Sequence, residues 1–374
     1  MLNVTKSFLP DIEDYIVYLR KIWKSGWLTN HGPYVSELES RLKEYLGVKH
    51  LFFVNNGTIA LQIALKAVGA QREVITTPFS YVATASSIVW ENCTPVFADI
   101  DPKTLCICPK LVEEKITPNT TAIVAVHVYG TPCAVEALHD ISQRYQIPVI
   151  YDAAHAFGVK HQETSVLNYG AISTLSFHAT KVFHTIEGGA IVTADDELAH
   201  RISFMRNFGH NGPTDFYGVG VNGKCSEFNA AMGLSILPKI GEAIESRKQA
   251  SERYDQLLSS CFVGVDAPLR KPQMISGRSY NYAYYPVLVR DEDLLLEIVG
   301  ALKEDDISAR RYFYPSLNKL PYLERYQPTP VSEDVSARVL CLPLFPGITN
   351  EEQDRVVHGI HSALQPRLLP AANG

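Results

Sequence analysis

The chain has 374 residues, 46% of them hydrophobic and 20% charged, a length and composition that support a large buried core divided over two domains. Its formal charge of −6 is spread along the sequence rather than gathered in blocks, which leaves no basic stripe for nucleic acid and no polybasic patch for a membrane surface. The expected substrate is therefore small.

Residues 1–16 contain no apolar run behind a charged start, and no stretch reaches the roughly 18 uninterrupted apolar residues of a membrane span, so a cytoplasmic location is expected. From about residue 34 to 206, strand-like apolar runs alternate with amphipathic helical stretches, the pattern of a parallel sheet wrapped in crossover helices. The spacing of Val35, Leu38, Leu42, Tyr45 and Leu46 predicts a helix over Tyr34–Leu46 with one buried face, stopped at Gly47. Strands are predicted at 51–55, 73–76, 95–100, 122–128, 148–152, 172–177 and 190–194, where the sequence is apolar and β-branched. Residues 81–91, 134–145 and 195–206 carry helical spacing between them.

A long helical pattern then runs from 226 to about 258. It is followed by NYAYYPVLVR, a helix near 291–303, ARRYFYP, LCLPLF and a last helix near 349–364. The expectation is a large α/β domain over residues 1–235, including an N-terminal helix, and a small α+β domain over 236–374 that begins in the long connecting helix. The seven cysteines are scattered, and Cys106 and Cys108 lack a second pair at zinc-finger spacing, so no metal site is expected.

Three features fall at the ends of predicted strands, where open α/β sheets place their ligands. Asn55-Asn56-Gly57-Thr58 runs from a strand through a glycine turn into a helix, a cradle suited to phosphate. PVIYDAAHAFG puts Asp152 at the end of a buried strand with His155 three residues on, and an acid there is costly unless it meets a partner such as a protonated ring nitrogen. In STLSFHATKVFHTIEGGAIVT a loop carries the single lysine Lys181, 29 residues after Asp152, among Ser176, His178, Thr180, His184 and a glycine pair. Taken singly, each also fits a plainer reading: a turn glycine before a capping threonine, a strand-end acid capping a turn, a solvated loop lysine.

With these motifs in order, the sequence resembles the DegT/StrS family, fold-type-I pyridoxal-phosphate aminotransferases that act on nucleotide-linked keto sugars. The resemblance covers nearly the whole chain, through WLTNHGPYVSELE, NNGTIALQIAL, TTPFSYVATA, VFADIDPKT, VHVYGTPC, YDAAHAFG, SFHATKVFHTIEGGAIVT and GVNGKCSEFNAAMG. It implies a mainly parallel seven-stranded sheet with helices on both faces and a smaller α+β C-terminal domain. It implies further that Lys181 forms the Schiff base and shuttles the proton, that Asp152 pairs with the pyridinium nitrogen, and that His155 sits near the ring hydroxyl. Tyr81 would stack on the ring, Gly57, Thr58 and Ser176 would hold the phosphate, and Asn222 would reach it from the partner subunit of a homodimer. For the sugar, the resemblance suggests Glu187, with His184, Lys224 and Tyr314 as further candidates and Arg310 and Arg311 beside Tyr314 in ARRYFYPSLNKLPYLE, a segment that also reads as an exposed basic strand edge.

Dehydrating relatives carry histidine in place of the Schiff-base lysine, so Lys181 favours amino transfer. WLTNHGP, ITPNTTAIVAVHVYGTPC and YDAAHAFGVK resemble members that aminate C4 of dTDP-4-keto-6-deoxyglucose with glutamate as donor, while Asn229 and Lys224 depart from the glutamine and arginine of many members. Transfer at C3 of a 3-keto sugar remains open, as does a non-catalytic protein that binds nucleotide sugars. A cell-surface polysaccharide such as the O-antigen of lipopolysaccharide is the expected destination. An NAD-dependent epimerase is disfavoured because no GxGxxG follows the first strand.

Overall fold

The computed structural model describes residues 1–273 and 278–365. Strands β1 (His50–Val54), β2 (Glu73–Thr76), β3 (Thr94–Phe97), β4 (Thr120–Val126), β5 (Val149–Asp152), β6 (Ile172–Ser176) and β7 (Gly189–Thr193) form one seven-stranded sheet in the order β1-β7-β6-β5-β4-β2-β3. Only β7 is reversed, pairing antiparallel with β1 and β6. The other strand pairs, β3 with β2, β2 with β4, β4 with β5 and β5 with β6, are parallel. All strands but β7 therefore end at the same edge, and the loop 177–188 that joins β6 to β7 never leaves it.

The strand alternation divides two apolar cores. Ala122, Val124, Ile150, Ile172 and Ile191 face one side of the sheet, where they pack with Ala60, Ile63 and Ala64 of α3 (Gly57–Ala67). Ile123, Ala125, Val149 and Tyr151 face the other, against Val135, Leu138 and Ile141 of α6 (Val135–Tyr145). Further along that same side, Phe53, Leu175, Ala190 and Val192 meet Val35, Leu38 and Leu42 of α2 (Pro33–Leu46). A sheet covered on both faces explains why its strands read as near-continuous apolar runs.

Several expectations shift by a residue or two, and some change in kind. The helix expected over Tyr34–Leu46 begins at Pro33 and stops at Gly47, whose φ of 64° is the left-handed conformation that glycine adopts without strain. Tyr45 is not on its buried face but 43% exposed, lying on Phe157 with ring centroids 5.6 Å apart. The single long helix expected from 226 to 258 is two helices, α8 (Glu227–Ile236) and α9 (Ile240–Leu257), separated by a 3-10 turn at Leu237–Lys239. Pro238 sits in that turn, and proline lacks an amide proton and clashes with the preceding helical turn. A further helix, α1 (Ile12–Ser25), precedes α2 and buries only Ile22.

Beyond α9 a second, antiparallel sheet of β8 (Leu269–Arg270), β9 (Tyr285–Val289) and β10 (Val339–Leu342) packs with α10 (Glu292–Glu304) and α12 (Asn350–Leu364) around Tyr254, Leu295, Ile298 and Val356. Leu2 joins this core, since Leu2–Asn3 pairs in parallel with Ile307–Ser308. The ARRYFYP segment makes no strand; Arg310 forms only an isolated bridge to Cys341, and Phe313 packs into the core of the large sheet.

Candidate active site

The shared edge of the strands opens into a cavity of about 310 Å³, toward the small end of the range for small-molecule sites. Each element delivers one part of its lining: Asn56, Gly57 and Thr58 after β1, Ser80 and Tyr81 after β2, Asp152 and His155 from the end of β5, and Ser176, His178, Thr180, Lys181 and Glu187 from β6 and its loop.

The turn at Gly57 is fixed by Asn56, whose side chain accepts the Ile59 N–H at 2.8 Å and whose carbonyl accepts the Ala60 N–H. The amides of Gly57 and Thr58 bond to no other group among the described residues, which leaves two donors at the positive end of α3. A Cβ on Gly57 would stand 2.9 Å from the Ser176 Cβ, so glycine is what lets α3 approach β6 and present amides and hydroxyl together.

Asp152 is buried. One carboxylate oxygen accepts the Thr84 hydroxyl at 2.8 Å and the other the Ala154 N–H at 3.1 Å. Burial raises its pKa, while those two bonds and the Lys181 charge act to lower it. Lys181 Nζ donates to the Tyr284 hydroxyl at 3.4 Å; burial pulls its pKa down and the Asp152 charge pulls it back up. Among the described residues neither side chain makes a direct ion pair. An acid and an amine that face one cavity unpaired suit a cofactor offering a cationic ring nitrogen to the first and a carbonyl carbon to the second.

His155 is stacked on Phe313, with centroids 5.6 Å apart, and its Nδ1 accepts the Tyr129 N–H at 3.2 Å. Burial, then the nearby Lys181 charge, holds it well below the usual histidine pKa, so the ring is neutral with its proton on Nε2. Tyr81 is 58% exposed at the cavity, an aromatic face open to a planar ligand.

The remaining expected residues divide. Glu187 lines the cavity beside His178, 3.7 Å away. His184 does not line it: its Nε2 donates to the Phe8 carbonyl at 2.7 Å and its Nδ1 accepts the Ile186 N–H, bonds that hold the loop. Asn222 and Lys224 lie outside the cavity, bonded to each other at 2.7 Å, and Lys224 lines a separate cavity of about 200 Å³ with His31 and Arg206. Tyr314 is exposed under the Arg311 guanidinium, and Arg311 itself is committed to Glu292 and the Ala337 carbonyl. From that segment it is Tyr312 and Phe313 that enter the cavity, along with Tyr284.

These three aromatics were not predicted, because they arrive from more than 100 residues away in sequence. Thr84 and Ser80 were within TTPFSYVATA, where the small polar run after a strand end was the available signal. Asn229, noted for its departure from glutamine, donates to both the Thr185 and Glu187 carbonyls at 2.8 and 2.9 Å and so braces the loop before β7.

A buried amine facing an acid across the strand-end cavity of an α/β sheet is an arrangement that suits an enzyme working through a lysine amine. Comparison with known proteins narrows this: the chain belongs to the DegT/DnrJ/EryC1/StrS aminotransferase family, whose model matches residues 11–361. It is 44% identical over 362 residues to the dTDP-4-amino-4,6-dideoxy-D-glucose transaminase of Shigella dysenteriae, covering 96% of this chain and 97% of that one. Among solved structures it resembles DesI, determined in the presence of its TDP-sugar product, with a TM-score of 0.91, 33% identity and coverage of 98% and 94% of the two chains. NtdA of Bacillus subtilis, solved with the bound cofactor PMP, matches with a TM-score of 0.86 and 28% identity over 94% of this chain and 82% of that one.

Proposed function

We propose that this aminotransferase moves an amino group from glutamate to C4 of dTDP-4-keto-6-deoxy-D-glucose, with pyridoxal phosphate held at Lys181. The observation that carries the reading is the unpaired placement of Lys181 and Asp152 on one cavity, in a chain so similar to a transaminase of that sugar. Pyridoxal phosphate, when bound, supplies an electron sink for the carbon that gains or loses the proton.

The chain's own residues do the rest. Asp152 would hold the proton of the ring nitrogen, since among the described residues its carboxylate is bonded by neutral donors, the Thr84 hydroxyl and the Ala154 amide. His155 offers Nε2–H as a neutral donor for the ring hydroxyl, because its other nitrogen is taken by Tyr129. The Gly57 and Thr58 amides and the Ser176 hydroxyl would grip the phosphate, and Tyr81 would cover one face of the ring. Lys181 acts twice at Nζ: burial enriches the neutral amine that attacks, and the same atom then carries a proton to and from the reacting carbon. Glu187 is the substrate contact the cavity supports, with Lys224 and Tyr314 placed to act only from outside it.

Asn222, which does not line its own chain's cavity, would complete a partner's phosphate site in a homodimer. The large exposed apolar side chains Trp23, at 78%, and Trp27 near α1, with Phe216 and Val219 on the 208–221 segment, supply surface that a second subunit would cover. Incubation with pyridoxal phosphate, glutamate and dTDP-4-keto-6-deoxyglucose should yield a sugar with an equatorial amine at C4 by NMR. An amine at C3, or no product beside a lysine-dependent absorbance, would overturn this choice of substrate.

A further inference from the structure

Behind Asp152 stand two hydroxyls, those of Thr84 and Ser80, that the reading above leaves without a role. Ser80, Thr84 and Asp152 are all buried, the Ser80 and Thr84 hydroxyl oxygens are 2.8 Å apart, and Thr84 reaches the carboxylate at 2.8 Å. An ionised carboxylate only accepts, so the single Thr84 proton belongs to Asp152, and Ser80 must then be the donor to Thr84. The direction of the chain, Ser80 to Thr84 to Asp152, is thereby fixed.

We propose that Ser80 and Thr84 form a hydroxyl relay that orients the Asp152 carboxylate toward the cavity and keeps it the negative partner of a cationic ring nitrogen. The inference rests on the cofactor reading given above. Thr84 is a positioning residue: it lies in the first turn of α4 (Ala83–Trp90), its amide donates to the Tyr81 carbonyl at 3.1 Å, and its hydroxyl is held between Ser80 and Asp152. With Thr84 on one oxygen and the Ala154 amide on the other, the carboxylate plane is held from both sides. A lysine or arginine in place of these donors would also stabilise the anion, but it would neutralise the charge that the ring nitrogen needs. Neutral donors in series solvate the carboxylate and leave its charge available.

The test compares Thr84→Val, which keeps the shape and loses the hydroxyl, with Thr84→Ser and Ser80→Ala. Without the Thr84 proton the Asp152 carboxylate is a stronger base, so with cofactor bound it would take a larger share of the ring-nitrogen proton, and Lys181 Nζ would keep its own proton to higher pH. Thr84→Val is expected to raise the pH midpoint of the bound cofactor's absorbance titration, to weaken pyridoxal phosphate binding to the apo-protein by about tenfold, and to lower kcat more than it changes the sugar KM. Binding of inorganic phosphate should be unchanged, Thr84→Ser should restore the midpoint, and Ser80→Ala should shift it by less. A wild-type midpoint in Thr84→Val, or equal damage from Thr84→Ser, overturns the relay alone. If Thr84→Val does not fold, an unshifted midpoint in Ser80→Ala does the same. A wild-type protein that forms no Lys181-dependent absorbance overturns the cofactor reading instead.

Discussion

His184 and His155 show how position and hydrogen-bond partners, rather than residue type or burial, assign roles. Both are buried, both have pKa values lowered chiefly by desolvation, and yet only His155 lines the cavity. The stability cost of keeping them neutral has a definite sign. Unfolded histidines take up protons below a pH of about 6.5 while these two, with lowered pKa values, take them up only at lower pH, so stability is level above that pH and falls as pH drops through it, by at most about 1.4 kcal/mol per pH unit for each. Asp152, raised by burial, pulls the other way above an unfolded pKa of about 3.9, so the histidine effect is best read as a difference. His184→Gln should unfold at a lower temperature at pH 8 but lose less stability than wild type between pH 7 and 5. Parallel melting curves for the two proteins would remove His184 from this account.

At the scale of elements, the close approach of α3 to β6 is what makes the turn at Gly57 a cradle. Gly57→Ala places its Cβ 2.9 Å from the Ser176 Cβ and forces the two apart, at a cost of about 1–3 kcal/mol in stability and with weaker cofactor binding. Calorimetry and a pyridoxal phosphate titration check both; an unaltered affinity would mean that the cradle lies elsewhere. The same elements show what the sequence made legible. The seven strands of the large sheet could be read because burial on both faces demands continuous β-branched runs, and Lys181 stood out because it is alone in a loop between two of them. Helix α1 carries Tyr15, Ile16, Leu19 and Ile22 at helical spacing and was legible in the same way, although only Ile22 is buried. The break at Pro238 was masked by apolar spacing that continues across it, and Tyr284, Tyr312 and Phe313 reach the cavity only because the second half of the chain folds back over the first.

For the whole molecule the decisive feature is that one chain does not bring Asn222 to its own cavity. If Asn222 completes the partner's site, Lys181→Ala and Asn222→Ala proteins should each be poorly active at limiting cofactor. Mixing them then forms about half heterodimers, each with one intact site of two, and restores about a quarter of wild-type activity. No recovery on mixing would place Asn222 outside the catalytic machinery. The claim on which all of this depends is that Lys181 is the amine that carries the chemistry. It is tested most directly by reducing the pyridoxal phosphate complex with borohydride and locating the adduct by peptide mass spectrometry. The account predicts a pyridoxyl group on Lys181, lost when the lysine is replaced by alanine; an adduct on another lysine, or none, would contradict it.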